Sequence, residues 1–115
     1  MATLIVRDPI PLAELRRLAA GGFGDFVKAV VDVEAKVMAV GGELHADQET
    51  MLLEEGSQQH NIWGINIYPD LPAAERLEFD SMINVRPSQG NRSRSVESEV
   101  IRHRIETIVS SLVRE

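Results

Sequence analysis

The valine-rich stretch from residue 27 to residue 40 constrains the fold most, because it can form either one long helix or two strands. Every odd position in it is apolar, whereas the even positions mix apolar with charged residues. Six of its residues are valine, and β-branched side chains favour strands. A period of two is typical of a strand with one buried face. We therefore predict two strands, about 26–33 and 36–41, joined by a turn near Glu34-Ala35.

Helices and further strands flank this hairpin. Apolar residues at helical spacing, with glycines past the helix ends, predict three helices, and alternating runs predict three more strands. The last helix has Ser98 as its candidate N-cap and an apolar stripe along one side. The predicted elements are, in chain order, the strand Thr3–Val6, the helix Leu12–Ala20, the hairpin, the helix Ala46–Glu55, the strand Ile62–Tyr68, the strand Leu77–Val85 and the helix after Ser98.

Three of these strands have one apolar face and one face that carries charge, which is typical of an antiparallel sheet covered on one side. We therefore predict an α+β fold, a two-layer sandwich in which a mostly antiparallel sheet of four to five strands has three helices on one face. The open face would carry polar residues, namely Lys28, Asp32, Lys36, Asn66, Glu78, Asp80 and Asn84. Four apolar residues would share that face, Val30, Met38, Val40 and Met82, and they favour a homodimer.

The totals restrict the class of protein. A chain of 115 residues suits one domain, so residues 1–115 are expected to form a single α+β domain. The absence of cysteine excludes disulfides and thiolate metal sites and fits a cytoplasmic protein. No stretch approaches the ~20 apolar residues of a membrane helix. The net charge of -6 argues against general nucleic-acid binding.

The polar loop from Arg86 to Ser95 is the main candidate for a binding site, because arginine binds phosphate and carboxylate groups and Gly90 permits close approach of a ligand. The following helix adds N-terminal amides that favour anions. The predicted ligand-binding residues are Arg86, Ser88, Gln89, Asn91, Arg92, Arg94, Asn66 and Asn84. In the alternative, the loop is architecture, and Arg92 or Arg94 pairs with a carboxylate of the sheet, Asp80, Glu78 or Asp32.

Catalytic residues are harder to assign. His45, Asp47 and Asp80 are candidate acid or base groups, although no fixed catalytic spacing accompanies them. His45 and Asp47, near Glu43 and Glu49, could also meet at a metal ion, with His60 as a further ligand if its loop folds back. The simpler interpretation makes Asp47 a helix cap and His45 a junction residue, so we predict neither a metal nor a cofactor. Trp63 fits the core better than a stacking site.

Three motifs resemble a known family. They are Gly41-Gly42-Glu43-Leu44-His45-Ala46-Asp47, then Gly56-Ser57 with Trp63-Gly64-Ile65-Asn66, and Ile83-Asn84-Val85-Arg86-Pro87-Ser88-Gln89-Gly90-Asn91-Arg92-Ser93. Together they resemble a family of small prokaryotic proteins classed as a domain of unknown function. The resemblance covers most of the chain from about Phe26 onward. It implies a single compact domain and carries no catalytic assignment.

Two functions of different classes lead, and a purely structural role in a complex is a third interpretation. The first is a binding or interaction module that uses the polar sheet face and the arginine-rich loop, with a small anionic ligand as its partner. The second is a small hydrolase that acts on a phosphorylated or carboxylated small molecule. Arg86, Arg92 and Arg94 would then hold the anion, and His45, Asp47 or Asp80 would move the proton.

Overall fold

A computed structural model describes residues 2–115 of the chain. The strands are β1 (Leu4–Val6), β2 (Ile10–Pro11), β3 (Val27–Asp32), β4 (Val37–Val40), β5 (Ile62–Ile67), β6 (Leu77–Glu78) and β7 (Val113–Arg114). Five of them form a central antiparallel sheet with the strand order β1-β4-β3-β5-β6. The two short strands β2 and β7 pair in parallel as a separate ribbon. The helices are α1 (Leu12–Ala20), α2 (His45–Glu54) and α3 (Glu99–Leu112).

The predicted hairpin is confirmed as β3 and β4. The turn between them is held by Asp32, whose Oδ1 accepts the backbone N–H groups of Glu34 and Ala35, both at 2.9 Å. Lys36 closes the turn with a φ of 60°, the left-handed conformation. The register places Val31 beside Met38, so odd residues of β3 share a face with even residues of β4. The predicted α1, α2, α3, β1 and β5 are also present, and Ser98 caps α3 by accepting the N–H of Ile101 at 3.3 Å.

The α+β class and the antiparallel sheet are confirmed by this arrangement. The larger core lies on one face of the sheet, between β3, β4 and β5 and the helices α1 and α3. We call this the helical face. Apolar residues of the strands meet the apolar stripes of both helices there, and they include Leu15, Val31, Met38, Ile65, Ile105 and Ile108.

Helix α2 packs on the opposite face, which corrects the expectation that all three helices lie on one side. Its Leu52 is buried against Val30 of β3, Ala39 of β4 and Ile62 of β5, all of which point away from the helical face. We call this the loop face, because a long irregular segment covers the rest of it. The sequence pattern of α2 defines a buried side but not the sheet face against which that side packs.

The predicted strand Leu77–Val85 forms only in its first two residues, as β6. The chain then leaves the edge of the sheet and crosses over Gly64 of β5, where a Cβ atom would lie 2.6 Å from Cβ of Ser81 and 3.1 Å from Cγ1 of Ile83. A glycine in a strand permits this close approach. A 3-10 turn at Met82–Asn84 replaces the expected strand.

Part of the expected open sheet face is therefore covered, although Lys36 and Glu78 are exposed, and this is a second correction. Asp32, Asn66 and Asn84 are buried, as is Val30 beneath α2. Met38 and Val40 are buried as well, but on the helical face, because the hairpin register places them there. Met82 alone of the four apolar residues is exposed, at 64%. The homodimer stays a prediction without the surface on which it was based.

One finding bears on membranes. Across residues 2–115, no helix is long and apolar enough to cross a bilayer.

Candidate functional site

Arg86 is buried and held by backbone carbonyl groups. Its Nε donates to the carbonyl of Ile83 at 2.9 Å, and its Nη1 donates to the carbonyl of Gln59 at 2.8 Å. Nη2 donates to the carbonyl of Ile62, and the guanidinium lies over the Trp63 ring, 4.6 Å from the ring centroid. Arg86 therefore fastens the loop to the start of β5, and Trp63 packs in the core as expected.

Asn84 takes the place of a strand residue beside β5. Its Oδ1 accepts the N–H of Gly64 at 2.8 Å, and its Nδ2 donates to the carbonyl of Gly64 at 2.9 Å. The same Nδ2 donates to the carbonyl of Arg94 at 3.0 Å. One buried amide thus satisfies both backbone groups of Gly64 at a place where no strand reaches them.

Asn91 organises the second half of the loop in the same way. Its Nδ2 donates to the carbonyls of Asn84 and Ser95, both at 2.7 Å, and shares one of these hydrogens with the carbonyl of Ser93 at 3.1 Å. Its Oδ1 accepts the N–H of Glu97 at 2.9 Å. The prediction assigned ligand binding to Arg86, Asn84 and Asn91. In the structure, the polar atoms of these three side chains form hydrogen bonds with the backbone instead.

The rim of the loop is exposed. Ser88 lies at the surface, and Gln89 donates from Nε2 to the carbonyl of His60 at 3.1 Å. The Glu97 carboxylate accepts the backbone N–H of Arg92 at 2.9 Å and that of the next residue at 2.8 Å. The side chain of Glu97 therefore already accepts both backbone N–H groups of this turn. The side chain of Arg92 remains exposed beside it.

Four predicted site residues, His45, Asn66, Asp80 and Arg94, lie within hydrogen-bond or electrostatic range of one another or of Lys28 on the loop face, and we call these five the polar cluster. Arg94 donates from Nε to Oδ1 of Asp80 at 2.6 Å and from Nη2 to Oδ2 at 3.4 Å. Nδ2 of Asn66 lies 3.5 Å from the carbonyl of Asp80, and Asn66 is paired with Lys28 in the sheet register. The hydrogen bond from Arg94 lowers the pKa of the Asp80 carboxyl. For Arg94, the structure has the ion pair that the architectural alternative predicted.

His45 lies at the first turn of α2, within electrostatic range of Lys28, Asp80 and Arg94. Its Nε2 is 2.8 Å from the carbonyl of Ile65, and because a carbonyl can only accept, this nitrogen carries the proton. Burial is the largest influence on its pKa, which is lowered; the hydrogen bond to Ile65 opposes that shift. The ring is therefore neutral near pH 7 and keeps Nδ1 as an acceptor.

Asn66 has a buried oxygen that needs a donor. Its Nδ2 donates to Oε1 of Glu78 at 2.7 Å and faces the carbonyl of Asp80, so two acceptors fix the orientation of the amide. Its Oδ1 then has no hydrogen-bond partner among residues 2–115, although Asn66 is only 6% exposed. Buried polar atoms are nearly always paired, so this oxygen marks a place for a donor from a water molecule or a ligand.

The other catalytic and metal candidates are not assembled. Asp47 is exposed two residues after His45 in the first turn of α2. His60 is exposed in the turn Gln59–Asn61 that precedes β5. Among the residues that the structure describes, no group of three or more histidine or carboxylate side chains is placed to hold a metal ion.

The sequence interpretation missed a groove of about 640 Å³ on the opposite side of β6, against α3. Its walls combine apolar side chains with two arginines and two glutamates. The lining includes Arg76, Leu77, Phe79, Arg102, Glu106, Val109, Val113 and Glu115. Arg76 and Arg102 are 26 residues apart in the sequence, so no local motif connects them.

Comparison with protein families matches residues 4–112 to the model described as Protein of unknown function (DUF5674). The chain belongs to the DUF5674 family. This confirms the expected resemblance to a family of unknown function, and the match extends the resemblance to the N-terminal strand and α1. Neither the curated proteins nor the solved structures give this DUF5674 member a match.

Proposed function

We propose that this DUF5674 protein is a binding module whose polar cluster holds a small carboxylate or phosphate that also carries a hydroxyl or amino group. The unpaired Oδ1 of Asn66 carries the proposal, because a buried acceptor favours a ligand with a hydrogen-bond donor. The anionic group of the ligand would pair with Arg94 and Lys28, the two cations of the cluster.

The Asp80–Arg94 pair fits a site that exchanges partners. Both side chains are about half exposed, and exposed ion pairs contribute little to stability. A ligand anion can therefore share the guanidinium with Asp80 without disturbing the fold. The carboxylate of Glu78, already bonded to Asn66, is available to an amino group on the same ligand.

The test is a binding screen by NMR chemical shifts with hydroxy- and amino-carboxylates and phosphate esters, each beside an analogue without the donor. Arg94→Ala should weaken the binding of a hit roughly tenfold or more, because a charge-assisted contact is lost. Arg92→Ala is the matched control, since this exposed arginine lies two residues away and outside the cluster; it should change affinity less than about twofold.

Two outcomes would reject the proposal. One is an equal loss of affinity in both arginine variants, which would indicate non-specific attraction. The other is the absence of any hit that moves the resonances of His45, Asn66 and Arg94.

A hydrolase that acts on such a ligand is the second candidate, and the observation that favours it is the neutral His45, in which the hydrogen bond at Nε2 leaves Nδ1 as the acceptor nitrogen. A histidine in this state can take a proton from an attacking water. Turnover of a bound ester that is lost in His45→Gln, while binding is retained, would support the enzyme. Binding without turnover supports the module.

Several expectations from the sequence remain predictions, as does this function. They are the single domain over residues 1–115, the cytoplasmic location, the homodimer and the prokaryotic origin.

A further inference from the structure

The groove between β6 and α3 contains an ion pair with unequal partners. Nη2 of Arg76 lies 2.8 Å from Oε1 of Glu115. The arginine side chain is 12% exposed, whereas the glutamate side chain is 65% exposed. Nε of Arg76 also donates to the carbonyl of Leu71 at 3.3 Å, which fixes the guanidinium in the wall. The cation is therefore fixed in the wall of the groove, whereas the carboxylate that pairs with it is mostly exposed to solvent.

The floor beside this cation is apolar. Leu77, Phe79, Val109 and Val113 line the groove, and a second guanidinium, that of Arg102, lies over the Phe79 ring at 4.7 Å from its centroid. Nη2 of Arg102 donates to Oγ of Ser95 at 2.6 Å, so this side chain is also held in place. A volume of about 640 Å³ lies within the range of small-molecule sites.

We propose that this groove binds an amphipathic organic carboxylate, whose anionic head replaces Glu115 at Arg76 and whose apolar body lies along Leu77, Phe79 and Val109. The Glu115 carboxylate shows that Arg76 accepts such a head, because it is the same chemical group on the same cation. Displacing it costs little, since a glutamate that is mostly exposed regains its water. The apolar lining then selects a ligand with a hydrocarbon or aromatic body.

This site is separate from the polar cluster. The cluster lies on the loop face beside the first turn of α2, whereas the groove is lined by α3 of the helical face and by the edge of β6. A test of one site therefore does not decide whether the other site binds its ligand.

The experiment titrates the full chain with octanoate and follows amide shifts and calorimetric heats, with octanamide as the uncharged analogue. Octanoate should shift Leu77, Phe79 and Val109, and octanamide should bind at least tenfold more weakly. Glu115→Gln should tighten octanoate binding several-fold, because it frees Arg76. Arg76→Gln should weaken binding tenfold or more.

The control for both variants is Arg16→Gln. Arg16 pairs with Asp70 at 2.8 Å in another exposed ion pair, and neither residue lines the groove. This variant should leave octanoate affinity unchanged, and so should Arg94→Ala in the polar cluster. If Arg76→Gln fails to fold, Glu115→Gln still decides, because its side chain is exposed.

Three results would overturn the proposal: equal binding of octanoate and octanamide, no gain of affinity in Glu115→Gln, or a loss of octanoate binding in Arg94→Ala. The last result would assign the carboxylate to the polar cluster instead.

Discussion

The two faces of the five-stranded sheet are closed by different interactions. On the helical face, α1 and α3 cover the strands with apolar side chains, and burial of that area stabilises the contact. On the loop face, α2 supplies a small apolar cluster, and the remaining cover is the segment from Phe79 to Ser95. Amides and a guanidinium bond that segment to the backbone. A sheet face can thus be sealed by hydrogen bonds from a loop.

The difference lies in redundancy. A core of many apolar side chains loses part of its stability when one of them is shortened. A loop held by a few buried amides has no substitute when one amide is lost, since each unpaired backbone group then remains without water. We therefore expect single polar residues of the loop face to matter as much as large residues of the core.

The sharpest test of this comparison is Asn84→Ala. The change removes the partner of two buried groups, the N–H and the carbonyl of Gly64, whereas the carbonyl of Arg94 keeps the N–H of Ser81 at 3.0 Å. Since each unsatisfied buried group costs about 1–3 kcal/mol, the free energy of unfolding should fall by roughly 2–6 kcal/mol. Urea unfolding measures it.

Gln89→Ala is the control, because Gln89 belongs to the same loop but makes its bond at the exposed rim. Its effect should stay under about 1 kcal/mol. A loss in Asn84→Ala no larger than that of the control would contradict the idea that hydrogen bonds seal this face.

A smaller effect is expected from Gly64→Ala, which tests how closely the loop approaches β5. The new Cβ would lie 2.6 Å from Cβ and 2.7 Å from Oγ of Ser81, so the segment must lift. Overpacking of this kind costs about 1–3 kcal/mol of unfolding free energy. Adding Ser81→Gly should restore part of the loss.

Gly21→Ala provides the matched control for the glycine change. Its Cβ would have ordinary contacts of 3.6 Å and 3.9 Å, and Gly21 has a φ of -81°, which alanine adopts freely. This variant should leave stability unchanged or raise it by about 0.4–1 kcal/mol. Similar losses of unfolding free energy in Gly21→Ala and Gly64→Ala would contradict the explanation by close approach of the loop.

The smallest effect concerns pH and His45. Burial lowers the pKa of His45 in the folded protein below its unfolded value, so protonation favours the unfolded state. The contribution is therefore complete above the unfolded pKa of about 6.5 and is lost as the pH falls through the folded pKa. Between about pH 7 and pH 5, the melting temperature of the parent protein should fall further than that of His45→Gln. Parallel curves would show that His45 is not protonated on unfolding.

The sequence predicts the parts of this molecule that depend on local periodicity. Valine alternation in residues 27–40 defined the hairpin, and helical spacing defined α1, α2 and α3, because one face of each element is buried. Gly21 and Gly56 past the helix ends and Ser98 before α3 placed the boundaries within about two residues.

The sequence does not reveal the loop face, for two physical reasons. Residues 79–85 alternate as a strand does, so the sequence predicts that they pair with β5. They cross over β5 instead, because Gly64, which is distant in sequence, permits that close approach. The sequence also does not show whether an asparagine binds a ligand or a backbone group, because the residue type is the same in both roles. Asn66 and Asn84 have identical side chains, yet Oδ1 is paired in Asn84 and unpaired in Asn66 among the described residues.

The β2–β7 ribbon has a consequence for the order in which the chain folds. It pairs Ile10 with Val113 and Pro11 with Arg114, residues roughly a hundred positions apart. The β3–β4 hairpin closes over four residues and can form as soon as it leaves a ribosome, whereas the ribbon cannot form until residue 114 has been made. We expect the ribbon to close last and to open first under mechanical or thermal stress. The pairing of β2 with β7 would then mark the completion of folding, since these two strands join only after the segments between them have folded.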